Sequence, residues 1–258
     1  MMKTWNKLKM VMAVACMLSL TGLVQGAYLE LLDGKRIEGS AVRVNAGGDY
    51  VIKTSAGDRT FPAKQVSEAV ADKPAEYDKA MSLVKGEKYD EAISVLEGIA
   101  RKNRKVGWDD QANKVLAQIF LEQNEGDKAY DSFRKMSPKF RMRPDVRPLY
   151  WKTLLATDNI TDLEKDLDAA IKNGADRGAA ARAQTMRGDV KMKRNQVEKA
   201  VLDYLRTVIL FEAEKDAQPE ALFKAASALQ QLRDNKADDL FEKLKKEYPS
   251  SSYASQAP

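Results

Sequence analysis

A pattern that returns every 34 to 37 residues is the feature that most constrains the fold of this chain. In each unit an alanine or leucine is followed, four positions later, by a large apolar residue. These anchor residues are 37, 34, 37 and 37 positions apart: Ala92, Ala129, Leu163, Ala200 and Ala237. Around them the apolar residues recur at i, i+3 and i+4, the spacing of amphipathic helices. Such regular spacing predicts an array of similar helical units, each burying its apolar face against its neighbours.

Two further positions in each unit support this interpretation. Counting back 12 residues from the anchors gives a set that is small in four of five units: Ala80, Ala117, Trp151, Gly188 and Ala225. Counting forward four residues gives Leu96, Phe133, Leu167, Tyr204 and Phe241. Small residues permit two helices to approach closely, and a large residue fills the gap toward the next helix.

With these positions the chain resembles the tetratricopeptide repeat (TPR) family, whose unit is a helix-turn-helix of 34 residues. The resemblance implies a mainly α fold, with about five helix-turn-helix repeats forming a TPR-like α-solenoid over residues 73–254. Repeat 3 departs most, because Trp151 and Leu163 stand where the family has small residues. Pro148 predicts that the first helix of this repeat begins late, near Leu149.

The segment before the repeats has a different composition. Glycines punctuate short runs rich in Val, Ile, Tyr and Thr, which predicts strands over residues 28–32, 36–44, 49–54 and 59–61. A meander of such short strands must curl in order to bury a core. We therefore expect a small SH3-like or Sm-like β-barrel over residues 27–70.

The first 26 residues have the pattern of a secretory signal peptide. Lys3, Lys7 and Lys9 precede an uncharged run over residues 10–24, and cleavage is predicted after Gly26. The alternatives are an uncleaved anchor and lipidation at Cys16. The run is shorter than the roughly 20 residues of a membrane span, and it continues well past Cys16. We therefore expect an exported protein, periplasmic or extracellular. Residues 247–254 also resemble the ends of periplasmic TPR proteins of the bacterial envelope.

The residue inventory excludes much chemistry. The chain has no His and a single Cys, so triads that use His and sites that bind zinc through imidazole or four thiolates are excluded. We find no phosphate-binding glycine motif and no nucleophile elbow. The sequence therefore predicts a protein that is not an enzyme and that uses no cofactor or metal. A carboxylate and lysine enzyme remains the less favoured alternative.

Charged clusters suggest other partners. The acidic run 162–168 is interpreted as a solvated helix face, since residues two apart on a helix point in different directions. Basic residues gather at 101–105, 139–147 and 191–194, and they could meet nucleic acid, anionic lipid or an acidic peptide. Signal cleavage removes three lysines and no acids, so it lowers the net charge from +5 to +2. We expect no nucleic-acid role, and binding to an envelope polymer or anionic surface is an alternative function.

The resemblance also implies a binding face. In the TPR family the first helices line a concave groove and hold ligands with side chains at recurring positions. Carried over, these positions are Gln111, Lys114, Gln118, Lys152, Arg182, Thr185 and Asp189. Polar side chains of these types can bond a peptide backbone or carboxylates. The sequence thus predicts an exported scaffold that binds protein or peptide partners in the cell envelope, with possible peripheral association with it.

Overall fold

The structure, a computed structural model, describes residues 26–174 and 176–258. The predicted signal segment, apart from Gly26, lies outside these described residues. Short strands come first and helices follow, so the prediction of a mainly α chain with an N-terminal β region is confirmed.

The β region consists of two small open antiparallel sheets. Its strands are β1 (Tyr28–Leu31), β2 (Arg36–Glu38), β3 (Ala41–Val44), β4 (Tyr50–Thr54), β5 (Gly57–Phe61) and β6 (Val66–Val70). One sheet has the order β2-β1-β6 and the other the order β3-β4-β5. Buried side chains of both sheets, among them Leu29, Ile37, Val42 and Ile52, meet in one core.

The predicted closed barrel is wrong, and the first reason lies at Gly39. The Gly39 amide donates to the Ala27 carbonyl at 2.9 Å, whereas the next amide, of Ser40, donates to the Lys53 carbonyl at 2.8 Å. The chain therefore leaves one sheet and enters the other within a single residue, which divides the predicted strand 36–44 into β2 and β3. A Cβ at Gly39 would lie 2.6 Å from Cγ1 of Ile52, so the corner requires glycine.

The second reason is that the free edge of β6 meets the helices. Just beyond β6, the Ala71 amide donates to the Val106 carbonyl at 3.0 Å, and the Trp108 indole N–H donates to the Ala71 carbonyl at 2.8 Å. A barrel closes only when its edge strands pair with each other in a tilted, staggered ladder. Here the helical region covers this end of the edge instead.

The helical region contains five helix pairs and two short additional helices. The pairs are α1 (Ala75–Lys85) with α2 (Tyr89–Lys102), α3 (Trp108–Glu122) with α4 (Gly126–Lys135), α6 (Arg147–Ala156) with α7 (Ile160–Asn173), α8 (Arg177–Lys193) with α9 (Val197–Leu210), and α10 (Gln218–Gln231) with α11 (Lys236–Glu247). The short helices are α5 (Pro138–Arg141) and α12 (Ser252–Gln256). Consecutive helices of the pairs pack against each other along the chain, as the repeat predicts.

Packing within the pairs follows the predicted positions. All five anchor residues are buried, and so are the five residues 12 positions before them. Among the described glycines in helices, Gly188 of α8 is the most tightly enclosed. An added Cβ there would lie 2.6 Å from Cδ1 of Tyr204 in α9. The anchor spacing therefore reports the actual contacts between paired helices.

Each pair is joined by the same type of turn, a feature that was not predicted from the sequence. One residue in each turn has a left-handed backbone: Glu87, Asn124, Asp158, Asn195 and Arg233. The amide of the next residue donates to a carbonyl five positions back, for example Gln196 to Lys191 at 2.9 Å. This is the bond that closes a helix C-terminus in a Schellman motif.

Repeat 3 accommodates its large residue through a polar contact. Trp151 is 1% exposed, and its indole N–H donates to the carboxylate of Asp166 in α7. Arg147 donates to the other oxygen of Asp166 at 2.7 Å. Helix α6 begins at Arg147, before the predicted start near Leu149, because Pro148 occupies the first turn, where a missing amide proton costs little.

Candidate functional site

We call the outward side of α3, α6, α8 and α10 the first-helix surface, because these are the first helices of repeats 2 to 5. The predicted binding residues lie on three of these helices. Gln111, Lys114 and Gln118 belong to α3, Lys152 to α6, and Arg182, Thr185 and Asp189 to α8.

The polar centre of the first-helix surface is an ion network between α8 and α10. Nζ of Lys224 is 2.6 Å from a carboxylate oxygen of Asp189 and 2.6 Å from one of Glu220. The Tyr204 hydroxyl donates to the second oxygen of Asp189 at 2.8 Å. Lys224 therefore ties the first helices of repeats 4 and 5 together.

Burial and ion pairing act in opposite directions on the pKa values of this network. Burial raises the pKa of Asp189, and the neighbouring Lys224 charge opposes this only in part. Burial alone would lower the pKa of Lys224, but Asp189 and Glu220 outweigh it, so this pKa is raised. Burial would also raise the pKa of Glu220, yet the Lys224 charge, assisted by Lys152, lowers it. Lys224 consequently stays charged at neutral pH and holds both carboxylates in place.

Lys152 also influences the ion network. It lies on α6, whereas Glu220 lies on α10, two repeats further along the chain. The positive charge of Lys152 contributes to the lowered pKa of Glu220, after the larger effect of Lys224. The Lys152 side chain itself is exposed.

Lys114 takes part in a second, smaller ion pair. Its Nζ is 2.8 Å from Asp145, which lies in the segment before α6, and Arg143 contacts the other oxygen of Asp145 at 2.9 Å. Burial would raise the pKa of Asp145, but the two cations together lower it. This pair links repeats 2 and 3.

The remaining predicted residues differ in their accessibility. Gln118 is exposed, whereas Gln111 and Arg182 are half-buried. Thr185 is 3% exposed, and its hydroxyl donates to the Thr207 hydroxyl at 3.0 Å within the interface of α8 and α9. Of the predicted residues, Asp189 therefore belongs to the ion network, Lys152 is exposed and acts on the network through its charge, and Thr185 lies inside the packing.

Sequence reasoning missed Lys224, Glu220 and Asp145. The family's ligand positions do not include Lys224 or Glu220, so the resemblance gave no reason to select them. Their spacing of four residues with opposite charge is nevertheless a recognised sign of an ion pair on one helix face. Asp145 has no such signal, because its partner Lys114 lies in another repeat.

The charged clusters noted in the sequence have separate environments. Lys191 and Arg194 pair with Glu164, and Lys193 pairs with Asp158. Arg143 and Arg147 of the middle cluster are also paired with acids, whereas most of the basic residues at 101–105 lie free of ion pairs in the described residues. The acidic run 162–168 is thus largely matched by the cations of neighbouring helices.

Neither a cluster of metal ligands nor a membrane-spanning helix is found in the described residues. Within residues 26–174 and 176–258 no group of three or more Cys, Asp or Glu side chains could hold a metal ion. Over the same part of the chain, no helix combines the length and apolar character that crossing a membrane requires.

Comparison with protein families gives a match within the helical region. Residues 220–251 match the tetratricopeptide repeat family, and this segment covers most of α10 and all of α11. The chain therefore contains a TPR within a mainly helical protein, as the sequence pattern predicted. The matched repeat carries Glu220 and Lys224 of the ion network. Among curated proteins, none matches the chain.

Proposed function

We propose that this protein is an exported, non-catalytic TPR scaffold that binds protein or peptide partners of the cell envelope through the first-helix surface. The observation that carries the proposal is the TPR at residues 220–251, at the end of a series of five helix pairs. This motif generally implies protein partners. Repeats of this kind present extended surfaces to a ligand rather than a closed catalytic pocket.

The charge arrangement supports recognition of a peptide chain. Lys152 is exposed and has no ion-pair partner among the residues that the structure describes. Lys224, by contrast, is already engaged by two carboxylates. A partner carboxylate would therefore be expected at Lys152, while exposed Gln118 can bond a peptide backbone.

The export and envelope parts of the proposal are supported by the sequence. They rest on the predicted signal over residues 1–26 and on the resemblance of residues 247–254 to periplasmic TPR proteins. Sequencing the amino terminus of the mature protein tests the export step. Cleavage predicts Ala27 as the first residue, whereas an intact amino terminus on protein recovered inside the cell would contradict it.

Site-directed photo-crosslinking in native cells tests the binding surface. A photo-reactive amino acid replaces Lys152 or Gln118 on the first-helix surface, and Lys165 on α7 serves as the matched control, since it is also exposed. We expect specific adducts at positions 152 and 118 that mass spectrometry resolves into defined protein partners. Adducts of equal yield at position 165, or none at the first-helix positions, would contradict this binding mode.

A further inference from the structure

A second concave surface lies where the β region meets the first two helix pairs. We call it the junction cleft: it runs between β6, the loop that connects α2 to α3, the end of α4, and α5. Its volume is about 700 Å³. None of the residues predicted for the first-helix surface lines it.

The junction cleft is rich in basic side chains. It is lined by residues from two separate basic stretches of the sequence and by the basic end of α4: Arg104, Lys105, Arg134, Lys135, Lys139 and Arg141. Of these, only Lys139 has an ion pair among the described residues, with Glu68 of β6 at 3.4 Å. Five cations therefore face the cleft without a carboxylate partner in the described part of the chain.

Three acids also line the cleft. Both oxygens of Asp110 accept from Ser137, one from its amide and one from its hydroxyl, each at 2.6 Å. Asp109 accepts from the Lys105 amide at 2.7 Å, and burial raises its pKa. The third acid, Glu68, forms the ion pair given above. Six cations against three carboxylates leave the cleft with an excess of three positive charges.

The cleft continues into a second cavity between α2 and α4. This cavity, of about 640 Å³, shares Arg104, Asp109 and Lys135 with the first and adds Arg101. Arg104 and Lys135 thus stand where the two cavities join. The second cavity is lined by four cations and three acids, so the excess of positive charge lies mainly in the junction cleft itself. Two cavities with a common boundary suit an elongated ligand better than a single small anion.

Clustered like charges are unfavourable in the absence of a ligand, and they concentrate a positive field in the cleft. Exposed arginines and lysines offer forked and single donors that match carboxylates. We propose that the junction cleft binds an acidic, extended peptide segment of a partner protein. This second site is independent of the proposed role of the first-helix surface.

Two observations favour a peptide over a lipid surface. The cleft is lined by residues 66–69 of β6, which precede the end that the helical region covers at Ala71. β6 has β1 on one side and no strand on the other among the described residues, so this part of its edge offers backbone groups to an extended chain. No large apolar side chain that is exposed in the described residues lines the cleft, although Met142 follows directly after Arg141; Leu202, Ile209 and Leu210 lie on α9.

Binding of a defined probe tests the proposal. The probe is a fluorescent peptide of alternating glutamate and valine, and the comparison peptide has glutamine in place of glutamate. The cleft variant carries Arg104→Gln and Lys135→Gln. The control variant carries Lys165→Gln and Lys172→Gln, which remove the same charge from exposed positions of α7. All four side chains lack ion pairs within the described ranges, so both variants should keep the wild-type circular dichroism spectrum and melting temperature.

We expect the full-length wild-type protein to bind the glutamate peptide in low salt and not the glutamine peptide. The cleft variant should bind about tenfold more weakly and the control variant within about twofold of wild type. Equal weakening in both variants would overturn the site, because it would indicate only long-range attraction. Binding to phosphatidylglycerol vesicles in place of the peptide, loss of peptide binding only on Lys152→Ala, or no peptide binding at all would also overturn it.

Discussion

Replacing Gly188 with alanine tests the close packing of the fourth repeat. Gly188 lies in the interior of α8, where glycine is intrinsically unfavourable, so the helix alone would gain about 1 kcal/mol from the change. The new methyl group, however, would lie 2.6 Å from Cδ1 and 2.9 Å from Cζ of Tyr204. Carbon atoms in contact are normally about 3.5–4.0 Å apart, so the ring would have to move by roughly 1 Å.

The surroundings oppose this movement. Tyr204 is 2% exposed, and its hydroxyl is held by Asp189. Overpacking of this type costs about 1–3 kcal/mol, and a broken buried hydrogen bond costs a further ~1–3 kcal/mol. After the helical gain is subtracted, we expect Gly188→Ala to lower the free energy of unfolding by about 1–5 kcal/mol. For a chain of this size each kcal/mol lost should lower the melting temperature by about 2–4 °C.

Gly98→Ala is the matched control. Gly98 lies in the interior of α2, and an added Cβ there meets nothing within 4 Å. This variant should gain about 0.5–1 kcal/mol. Thermal and urea unfolding, followed by circular dichroism at 222 nm, measures both variants under the same conditions.

A double variant isolates the contact with the ring. In a Tyr204→Leu background the obstacle is smaller, so Gly188→Ala should cost at least about 1 kcal/mol less than it does alone. The reasoning would be refuted if Gly188→Ala were as stable as wild type, or if its cost were unchanged after Tyr204→Leu.

Three further predictions concern the ion network and the turns. Lys224→Met leaves Asp189 buried without its cation and should cost about 3–5 kcal/mol in urea unfolding, most of which Asp189→Asn in the same chain should restore; a neutral effect of Lys224→Met would contradict this. The pKa of Glu220 is lowered in the folded state, so its ionised form stabilises the fold above the ordinary glutamate pKa, and this contribution disappears as the pH falls through the folded-state value. Glu220→Gln should therefore cost about 1–2 kcal/mol at neutral pH and progressively less in acid, and a constant difference across that pH series would exclude this cause. Arg233 has φ of 58°, so Arg233→Gly should raise stability by about 0.5–1 kcal/mol in urea unfolding, whereas a loss would show that its side chain contributes more than its backbone strain costs.

The helical repeat was predictable because its signal is local and recurs. The burial of Ala92, Ala129 and Leu163 follows from the i, i+3, i+4 pattern around each of them, and the same pattern returns in every unit. The turns were less predictable. Asn124 and Asn195 are residue types that tolerate a left-handed backbone, whereas Glu87 and Arg233 adopt it only because the flanking helices require it.

The β region shows where local patterns stop. Val, Ile and glycine spacing correctly indicated short strands, but which strands pair depends on contacts that are remote in sequence. The break at Gly39 and the contact of Trp108 with Ala71 decide that two open sheets form and that one edge meets the helices. The expected barrel failed because composition specifies strands and not their closure.

The sequence by itself determined the repeat and its anchors, because apolar spacing is a local property of each helix. It also limited the chemistry that the chain can perform, because a chain without His lacks imidazole groups. Only the tertiary structure decided which charges meet. It joined Lys224 of repeat 5 to Asp189 of repeat 4 and placed Thr185 inside the packing. It also brought Arg104 and Lys135 to one cleft. The physical reason is that the interaction between two charges depends on their distance in space, and the stacking of the helix pairs sets that distance.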